Sequence, residues 1–193
     1  MKTRETKLGK QYTSDYIHFD KAMRVAEKLL KDDKKKIIGL YIIVSINSGM
    51  RIADTLSLKW QDLKNSKGYF WIKEGKTKKD RRIDINENIK KALSFFSPHD
   101  SEQLVFRSQK GSTYSIQQIN RVLKQIFSKE AKELNISSHS LRKSFGRRVY
   151  ENNGESEKAL LYLNEIFQHS TMKITKIYLG IRQEEISNVY LNL

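Results

Sequence analysis

The stretch KIIGLYIIVSINSG, residues 36–49, decides the fold. Its apolar residues fall on every side of a helix rather than along one face, which predicts a helix buried at the centre of the molecule. Gly49 is expected to end that helix, because glycine readily adopts the left-handed backbone with which many helices close.

The flanking sequence predicts mostly helix. Upstream, apolar residues recur at helical spacing over residues 14–30, and the segment RIADTLSLKWQDL (51–63) predicts a short helix with a tight turn. Further helices are predicted over residues 86–96, 115–134, 140–152, 157–167, 171–179 and 184–191.

Between these helices lies a segment of different character. YFWIKEG (69–75) and DRRIDIN (80–86) are short runs rich in aromatic and β-branched residues, joined by KTKK (76–79). They predict a small hairpin or three-stranded sheet with a lysine-rich tip, and LVF (104–106) is a candidate for another short strand. The expected fold class is therefore mainly α with a small antiparallel sheet (α+β), forming a single domain over residues 1–193.

The charge of the chain points to a polyanionic partner. Lys and Arg number 37 against 22 Asp and Glu, a formal net charge of +15, and they are spread along the chain rather than concentrated in one amphipathic helix. That distribution favours nucleic acid over an acidic membrane surface. No apolar run approaches the roughly 20 residues of a membrane span, and the charged N-terminus lacks the apolar core of a signal peptide.

The absence of cysteine narrows the chemistry. It excludes disulfides, thiolate zinc sites and a cysteine nucleophile, and it fits a reducing cytoplasm. Neither a carboxylate cluster for a metal nor a glycine-rich nucleotide loop is apparent, so no cofactor is expected.

Two segments can each offer an arginine to a phosphate. Arg51 follows the glycine that ends the central helix, and Asp54 could hold its guanidinium. His139 and Arg142 are spaced i,i+3 at the start of a predicted helix, so they share a face. Taken singly, the first is an ordinary surface ion pair and the second an exposed polar helix start.

Two further segments carry candidate functional residues. The tip EGKTKKDRR (74–82) carries lysines that can reach a phosphodiester, although any one of them could simply be solvated. QHSTMKITKIYLG (168–180) sets His169 nine positions ahead of Tyr178, and Tyr178 could equally belong to the buried stripe of a small helix.

Together, in this order and spacing, these segments resemble the tyrosine recombinase (phage integrase) family. SGMRIADTLSL resembles the family's first arginine box, GxRxxExxxL. HSLRKSFGRRVYENNG is similar to its H-x-x-R box, and QHSTMKITKIYLGI to its GHSSxxTTxxYxH box. The resemblance covers about residues 12–193 and implies the catalytic-domain fold of that family.

The resemblance also implies a role for each site residue. Tyr178 would be the nucleophile that forms a 3′-phosphotyrosyl link and releases a 5′-hydroxyl. Arg51 and Arg142 would clamp the phosphate oxygens, His139 would transfer a proton at the nucleophile, Lys76 would protonate the leaving oxygen, and His169 would hydrogen-bond the phosphate. Lys78 and Lys79 remain alternatives to Lys76. The site is expected to contain only cations and neutral donors.

The sequence departs from the family pattern at several positions. Asp54 replaces the usual Glu, Lys143 stands where many members have His, and Gln168 replaces the usual Gly, which leaves the geometry of that turn open. The chain also begins almost at the catalytic domain, so the N-terminal DNA-clamping domain of most members is expected to be absent, either from a naturally short recombinase or from a fragment of a longer one. Binding by one face alone would be weak and strongly salt-dependent.

The partners implied are double-stranded DNA and further copies of the chain. A tetrameric synapse on DNA is expected, with the tail 181–193 docked either on a neighbouring subunit or on its own domain. The enzyme is expected to work without metal or ATP, in the bacterial cytoplasm and nucleoid, with no membrane contact. The alternatives are a non-catalytic DNA-binding relative of the same fold and a type IB topoisomerase-like enzyme.

Overall fold

The computed structural model describes residues 13–76, 78–97, 100–108 and 111–192. Within these ranges it is mostly helical, with a small two-stranded antiparallel sheet. The elements are α1 (Phe19–Leu30), α2 (Lys36–Ser48), α3 (Ile52–Leu56), α4 (Trp60–Leu63), β1 (Tyr69–Lys73), β2 (Asp80–Asp84), α5 (Glu87–Leu93), α6 (Ile116–Ile126), a 3-10 turn (Glu130–Lys132), α7 (Ser138–Asn152), α8 (Glu157–Phe167), α9 (Met172–Leu179) and α10 (Ile181–Leu191). The predicted fold class is confirmed.

The helix α2 is the centre of the larger hydrophobic core. Nearly all of its residues are buried, and it ends at Gly49, whose φ of 60° lies in the left-handed region. Helices α1, α5 and α7 pack against it. Helix α1 approaches α2 closely at Gly39, where a Cβ would lie 2.8 Å from the carbonyl oxygen of Ala26. Glycine is therefore required for these two helices to meet at this distance.

A second, smaller core joins the C-terminal helices. It contains Leu160, Leu163 and Phe167 of α8 together with Leu179 of α9. Gly146 of α7 faces this core, and a Cβ there would lie 2.9 Å from the Phe167 ring. This close packing brings α7, α8 and α9 to one place, where their functional residues lie.

The predicted hairpin is confirmed as two strands. In the described residues β1 pairs antiparallel with β2, from Tyr69 opposite Asp84 to Lys73 opposite Asp80. The predicted strand at 104–106 is wrong, because Leu104 makes only an isolated bridge to Lys59.

Several predicted helix boundaries also differ. The first helix starts at Phe19, and the residues before it are tied to α7: the Ile17 N–H donates to Ser144 Oγ at 3.0 Å. The single helix predicted over 51–63 is two helices, α3 and α4, and the one predicted over 115–134 is α6 followed by the 3-10 turn. The last helix begins at Ile181, directly after the left-handed Gly180.

Replacing Gly39 with Ala should destabilise the protein by about 1–3 kcal/mol, because the added methyl group would meet the fixed backbone of α1. Urea unfolding monitored by circular dichroism measures this loss. Gln125→Ala, on the exposed face of α6, is the control and should change stability by less than about 0.5 kcal/mol. Equal stability of the two variants would contradict the close packing of α1 on α2.

Candidate active site

The C-terminal end of α8 gathers three arginines. The Phe167 carbonyl accepts hydrogen bonds from Arg51 Nη2 and Arg142 Nη2, both at 3.1 Å. The Ile166 carbonyl accepts from Arg81 Nη1 at 2.6 Å. The last carbonyls of a helix lack partners within the helix and form the negative end of its dipole, so they favour cations. The three arginines come from different parts of the chain, and the backbone carbonyls at this one helix end hold them together.

Arg142 is buried and held by neutral oxygens. Besides the Phe167 carbonyl, its Nη1 donates to the Gly49 carbonyl, and its guanidinium stacks on the Phe167 ring, 4.4 Å from the centroid. Burial lowers the pKa of Arg142 to about 10, while the nearby Tyr178 acts in the opposite direction. Because carbonyls do not cancel its charge, Arg142 can bind an anion strongly.

Arg51 has a partner that the sequence analysis did not identify. Its Nη1 donates to the carboxylate of Glu74, which is 0% exposed. The expected pairing with Asp54 is wrong, because Asp54 Oδ1 instead accepts from the backbone N–H of Gly75 at 2.9 Å. The expectation that the site contains only cations and neutral donors is also wrong, since the Glu74 carboxylate contacts both Arg51 and Arg81.

The missed residues do leave a signal in the sequence. In a strand, side chains alternate between two faces, so Glu74 continues the inward face of Phe70 and Ile72. Arg81 lies opposite Ile72 and shares that face. Charged side chains on the inward face of a hairpin indicate a buried ion pair.

The lysine-rich tip places Lys76 beside the site. Lys76 is exposed, and its positive charge contributes to lowering the pKa of both His139 and His169. The tip itself is fixed at its base, because the Glu74 N–H donates to the Lys79 carbonyl at 3.0 Å and the Lys78 N–H donates to the Glu74 carbonyl at 2.9 Å.

His139 lies in the first turn of α7, where its N–H donates to the N-cap Ser137 Oγ at 3.1 Å. Its Nδ1 lies 3.5 Å from the hydroxyl of Tyr178. Burial lowers the pKa of His139 below its usual 6.5, and the charges of Arg142 and Lys143 add to the effect. His139 is therefore neutral at neutral pH and able to accept a proton.

The ring of Tyr178 is enclosed by aromatic and cationic groups. Ring centroids lie 5.5 Å away at Phe167 and 5.3 Å away at His169, and the Lys143 ammonium lies 5.1 Å from the Tyr178 centroid. Burial raises the pKa of Tyr178 to about 12, against the opposing charges of Arg142 and Arg51. The hydroxyl is thus protonated in the free protein.

His169 follows the turn that ends α8. Gln168 takes the left-handed conformation there, with φ 51°, so the turn has the backbone that a glycine would readily adopt. His169 Nδ1 lies 3.0 Å from Thr175 Oγ1, which donates to Asn164 Oδ1 at 3.1 Å. Burial lowers the pKa of His169 to about 4, and the charges of Arg142 and Arg51 add to the effect, so the ring is neutral.

The structure therefore brings the six predicted residues into one neighbourhood. Arg51 and Arg142 share a carbonyl, Tyr178 lies beside both histidines, and the charge of Lys76 reaches those histidines. Across the described ranges, groups of three or more His, Asp or Glu side chains arranged to hold a metal ion do not occur. Nor does any helix in the described part of the chain combine the length and apolar character needed to span a membrane.

Residues 16–185 match the model of the phage integrase family. The chain belongs to this family. It is 32% identical over 173 residues to a Bacillus subtilis protein named "Probable integrase/recombinase YoeC", covering 89% of this chain and 91% of that protein. It is 25% identical to the tyrosine recombinase XerC of Xanthomonas axonopodis pv. citri, covering 76% of this chain and 48% of XerC. The chain thus spans most of YoeC but about half of XerC.

Solved structures share the fold. The XerA recombinase superposes with a TM-score of 0.68 at 20% identity, over 96% of this chain and 66% of XerA. XerH bound to its difH substrate gives a TM-score of 0.65 at 23% identity, over 92% of this chain and 53% of XerH. Residues 75–356 of lambda integrase, bound as a dimer to a core site, give a TM-score of 0.60 at 15% identity. The match covers 91% of this chain and 62% of the integrase chain.

Replacing Lys76 with Ala should slightly raise the pKa of both His139 and His169. Loss of a nearby positive charge makes the imidazolium easier to form, and the effect is modest because the lysine is exposed. NMR titration of the histidine ring protons measures it. Lys79→Ala is the control. An equal effect of that variant would contradict the placement of Lys76, rather than Lys79, beside the two histidines.

Proposed function

We propose that this chain is the catalytic domain of a site-specific DNA recombinase or integrase, which cuts and rejoins DNA through a 3′-phosphotyrosyl intermediate. The observation that carries the proposal is the position of the Tyr178 hydroxyl, 3.5 Å from the neutral His139 and beside the buried charge of Arg142. A nucleophile, a base and an anion-binding group thus meet at one point.

In the proposed reaction a DNA phosphodiester binds to Arg51 and Arg142. Its negative charge favours the protonated form of His169, whose second ring N–H donates to a phosphate oxygen while Nδ1–H donates to Thr175 Oγ1. His139 accepts the proton of Tyr178, and the phenolate oxygen attacks the phosphorus. The bond to the 5′ oxygen breaks, and Lys76 gives that oxygen a proton. The two arginines stabilise the charge that accumulates on the non-bridging oxygens in the transition state.

The same groups can run the reaction backwards. A 5′-hydroxyl that returns its proton to Lys76 attacks the phosphotyrosyl bond, and Tyr178 recovers its proton from His139. The covalent link retains the energy of the original phosphodiester, so religation needs no ATP. The arginines supply the positive charge that a metal ion would otherwise supply, so we propose that no metal is needed.

Double-stranded DNA is the proposed partner, supported by the net charge of +15. Such a substrate would place the protein with the bacterial nucleoid. We also propose that the tail 181–193 docks on a neighbouring copy within a tetrameric synapse on DNA. Ile181 is buried on its own domain, but Val189 and Tyr190 in α10 are 64% and 74% exposed. Leu193 lies outside the described residues.

Trapping a covalent adduct tests the proposal. The probe is a pool of nicked DNA duplexes with randomised core sequences, from which cleavage releases a short 5′-hydroxyl fragment and so prevents religation. Denaturing gels should show a protein–DNA adduct with the unaltered chain and none with Tyr178→Phe. Tyr162→Phe, on the exposed face of α8, should still form it.

The trapping experiment can also contradict the proposal. An adduct that persists in Tyr178→Phe would exclude Tyr178 as the nucleophile. Relaxation of supercoiled plasmid without sequence preference would indicate topoisomerase activity instead, and DNA binding without any adduct would favour a non-catalytic relative.

His139→Ala should slow cleavage on the order of 10²–10⁴-fold without lowering the melting temperature, because the base is lost while the fold remains. For the unaltered chain, kcat/KM should stay constant near neutrality and fall with acid only below about pH 6.5, since the pKa of His139 is lowered. Single-turnover cleavage at subsaturating DNA measures both. His18→Ala is the control, and a His139→Ala variant that cleaves like it would exclude His139 as the base.

A further inference from the structure

The carboxylate of Glu74 lies between two arginines at the base of the lysine-rich tip. Its Oε2 pairs with Arg51 Nη1, its Oε1 lies 3.2 Å from Arg81 Nη1, and the side chain is 0% exposed. A buried charge is costly unless it is paired, so this position requires both partners. The Asp84 carboxylate, on the same hairpin, is by contrast 69% exposed.

Arg81 is itself fixed to two helices. Its Nη1 donates to the Ile166 carbonyl at the end of α8, and its Nη2 donates to the Ser48 carbonyl at the end of α2 at 2.8 Å. Burial lowers the pKa of Arg81, and the adjacent Glu74 acts in the opposite direction. Glu74 is therefore held by a cation that cannot move without breaking both contacts.

Two anchors then fix the plane of Arg51. Nη1 is held by Glu74, and Nη2 by the Phe167 carbonyl. Because a guanidinium carries five N–H groups, hydrogens remain for the oxygens of a phosphate. Arg142 obtains the same support from carbonyls alone, so Arg51 differs in being oriented by a charged group.

Glu74 also belongs to the segment that carries Lys76. Its backbone N–H and carbonyl make the hydrogen bonds that close the tip, and the next residue, Gly75, is bonded to Asp54. A movement of the Glu74 side chain would therefore disturb both Arg51 and the base of the lysine loop.

We propose that Glu74 and Arg81 are positioning residues that orient Arg51 toward the scissile phosphate and couple that orientation to the placement of Lys76. This inference rests on the proposed recombinase function. Glu74 and Arg81 do not contact the reacting atoms; they act through Arg51 and the hairpin.

The charge of Glu74 makes this role measurable. Its removal makes the site more positive, which favours DNA binding, but it frees Arg51 from its anchor, which slows the chemical step. A purely structural residue would not separate these two effects, because partial unfolding weakens binding and cleavage together.

Glu74→Gln tests this, because the amide keeps the shape and removes the charge. Single-turnover cleavage at saturating DNA should fall on the order of 10²-fold, while DNA affinity at fixed salt should be equal to or tighter than that of the unaltered chain. Asp84→Asn is the matched control. It removes one carboxylate from the same hairpin, where its partner Arg82 is also exposed, and should leave cleavage unchanged.

A second variant, Glu74→Gln with Arg81→Gln, removes both charges together and so restores charge balance in the buried pair. This double variant should have a higher melting temperature than Glu74→Gln but an equally low cleavage rate. Recovery of both would overturn the inference, as would a Glu74→Gln rate equal to that of Asp84→Asn. If neither Gln variant folds, Glu74→Asp keeps the charge with a shorter reach, and a wild-type rate for it would overturn the inference.

Failure of the proposed function would be distinguishable from these outcomes. It would appear as the absence of an adduct with the unaltered chain, whereas failure of the inference concerns only the rates of the variants.

Discussion

The functional site depends on the last turn of α8. Its two final carbonyls, those of Ile166 and Phe167, hold Arg51, Arg81 and Arg142, which come from distant parts of the chain. Three guanidinium groups brought together repel one another. The Glu74 carboxylate offsets part of this repulsion between Arg51 and Arg81, and the helix end offsets more of it without cancelling the charge. The cationic character of the site is thus a property of the backbone as much as of the arginines.

Burial and these charges together set the protonation of His139, His169 and Tyr178. Burial, with the positive field adding to it, keeps His139 and His169 neutral, while burial keeps the Tyr178 hydroxyl protonated despite that field. A bound phosphate would add negative charge beside the arginines, so the site is organised for an anion before one arrives. The neutral form of His139 is the form that can take a proton, which joins the electrostatics to the proposed chemistry.

The sequence predicts the elements that follow simple periodicity and misses the contacts that cross them. The apolar run 36–49, the hairpin and the helices that carry His139 and Tyr178 were predictable, because each depends on local spacing. The partner of Arg51 was not, because local spacing favoured Asp54 whereas the fold brings in Glu74 from the hairpin. Glu74 stands in a lysine-rich segment, where a carboxylate is usually solvated. Only the alternation of side chains along β1 indicates that it points inward.

The turn at Gln168 shows how much the site constrains the backbone. A left-handed conformation costs a residue with a side chain roughly 1–2 kcal/mol, yet Gln168 adopts it with φ 51°. Two hydrogen bonds compensate: the Gln168 N–H donates to the Glu165 carbonyl, and the His169 N–H donates to the Asn164 carbonyl, both at 3.0 Å. If the helix continued, the N–H groups of its next turn would bond to the Ile166 and Phe167 carbonyls, which the arginines use here. Strain retained at one residue therefore keeps those carbonyls open, and it also directs His169 toward Tyr178.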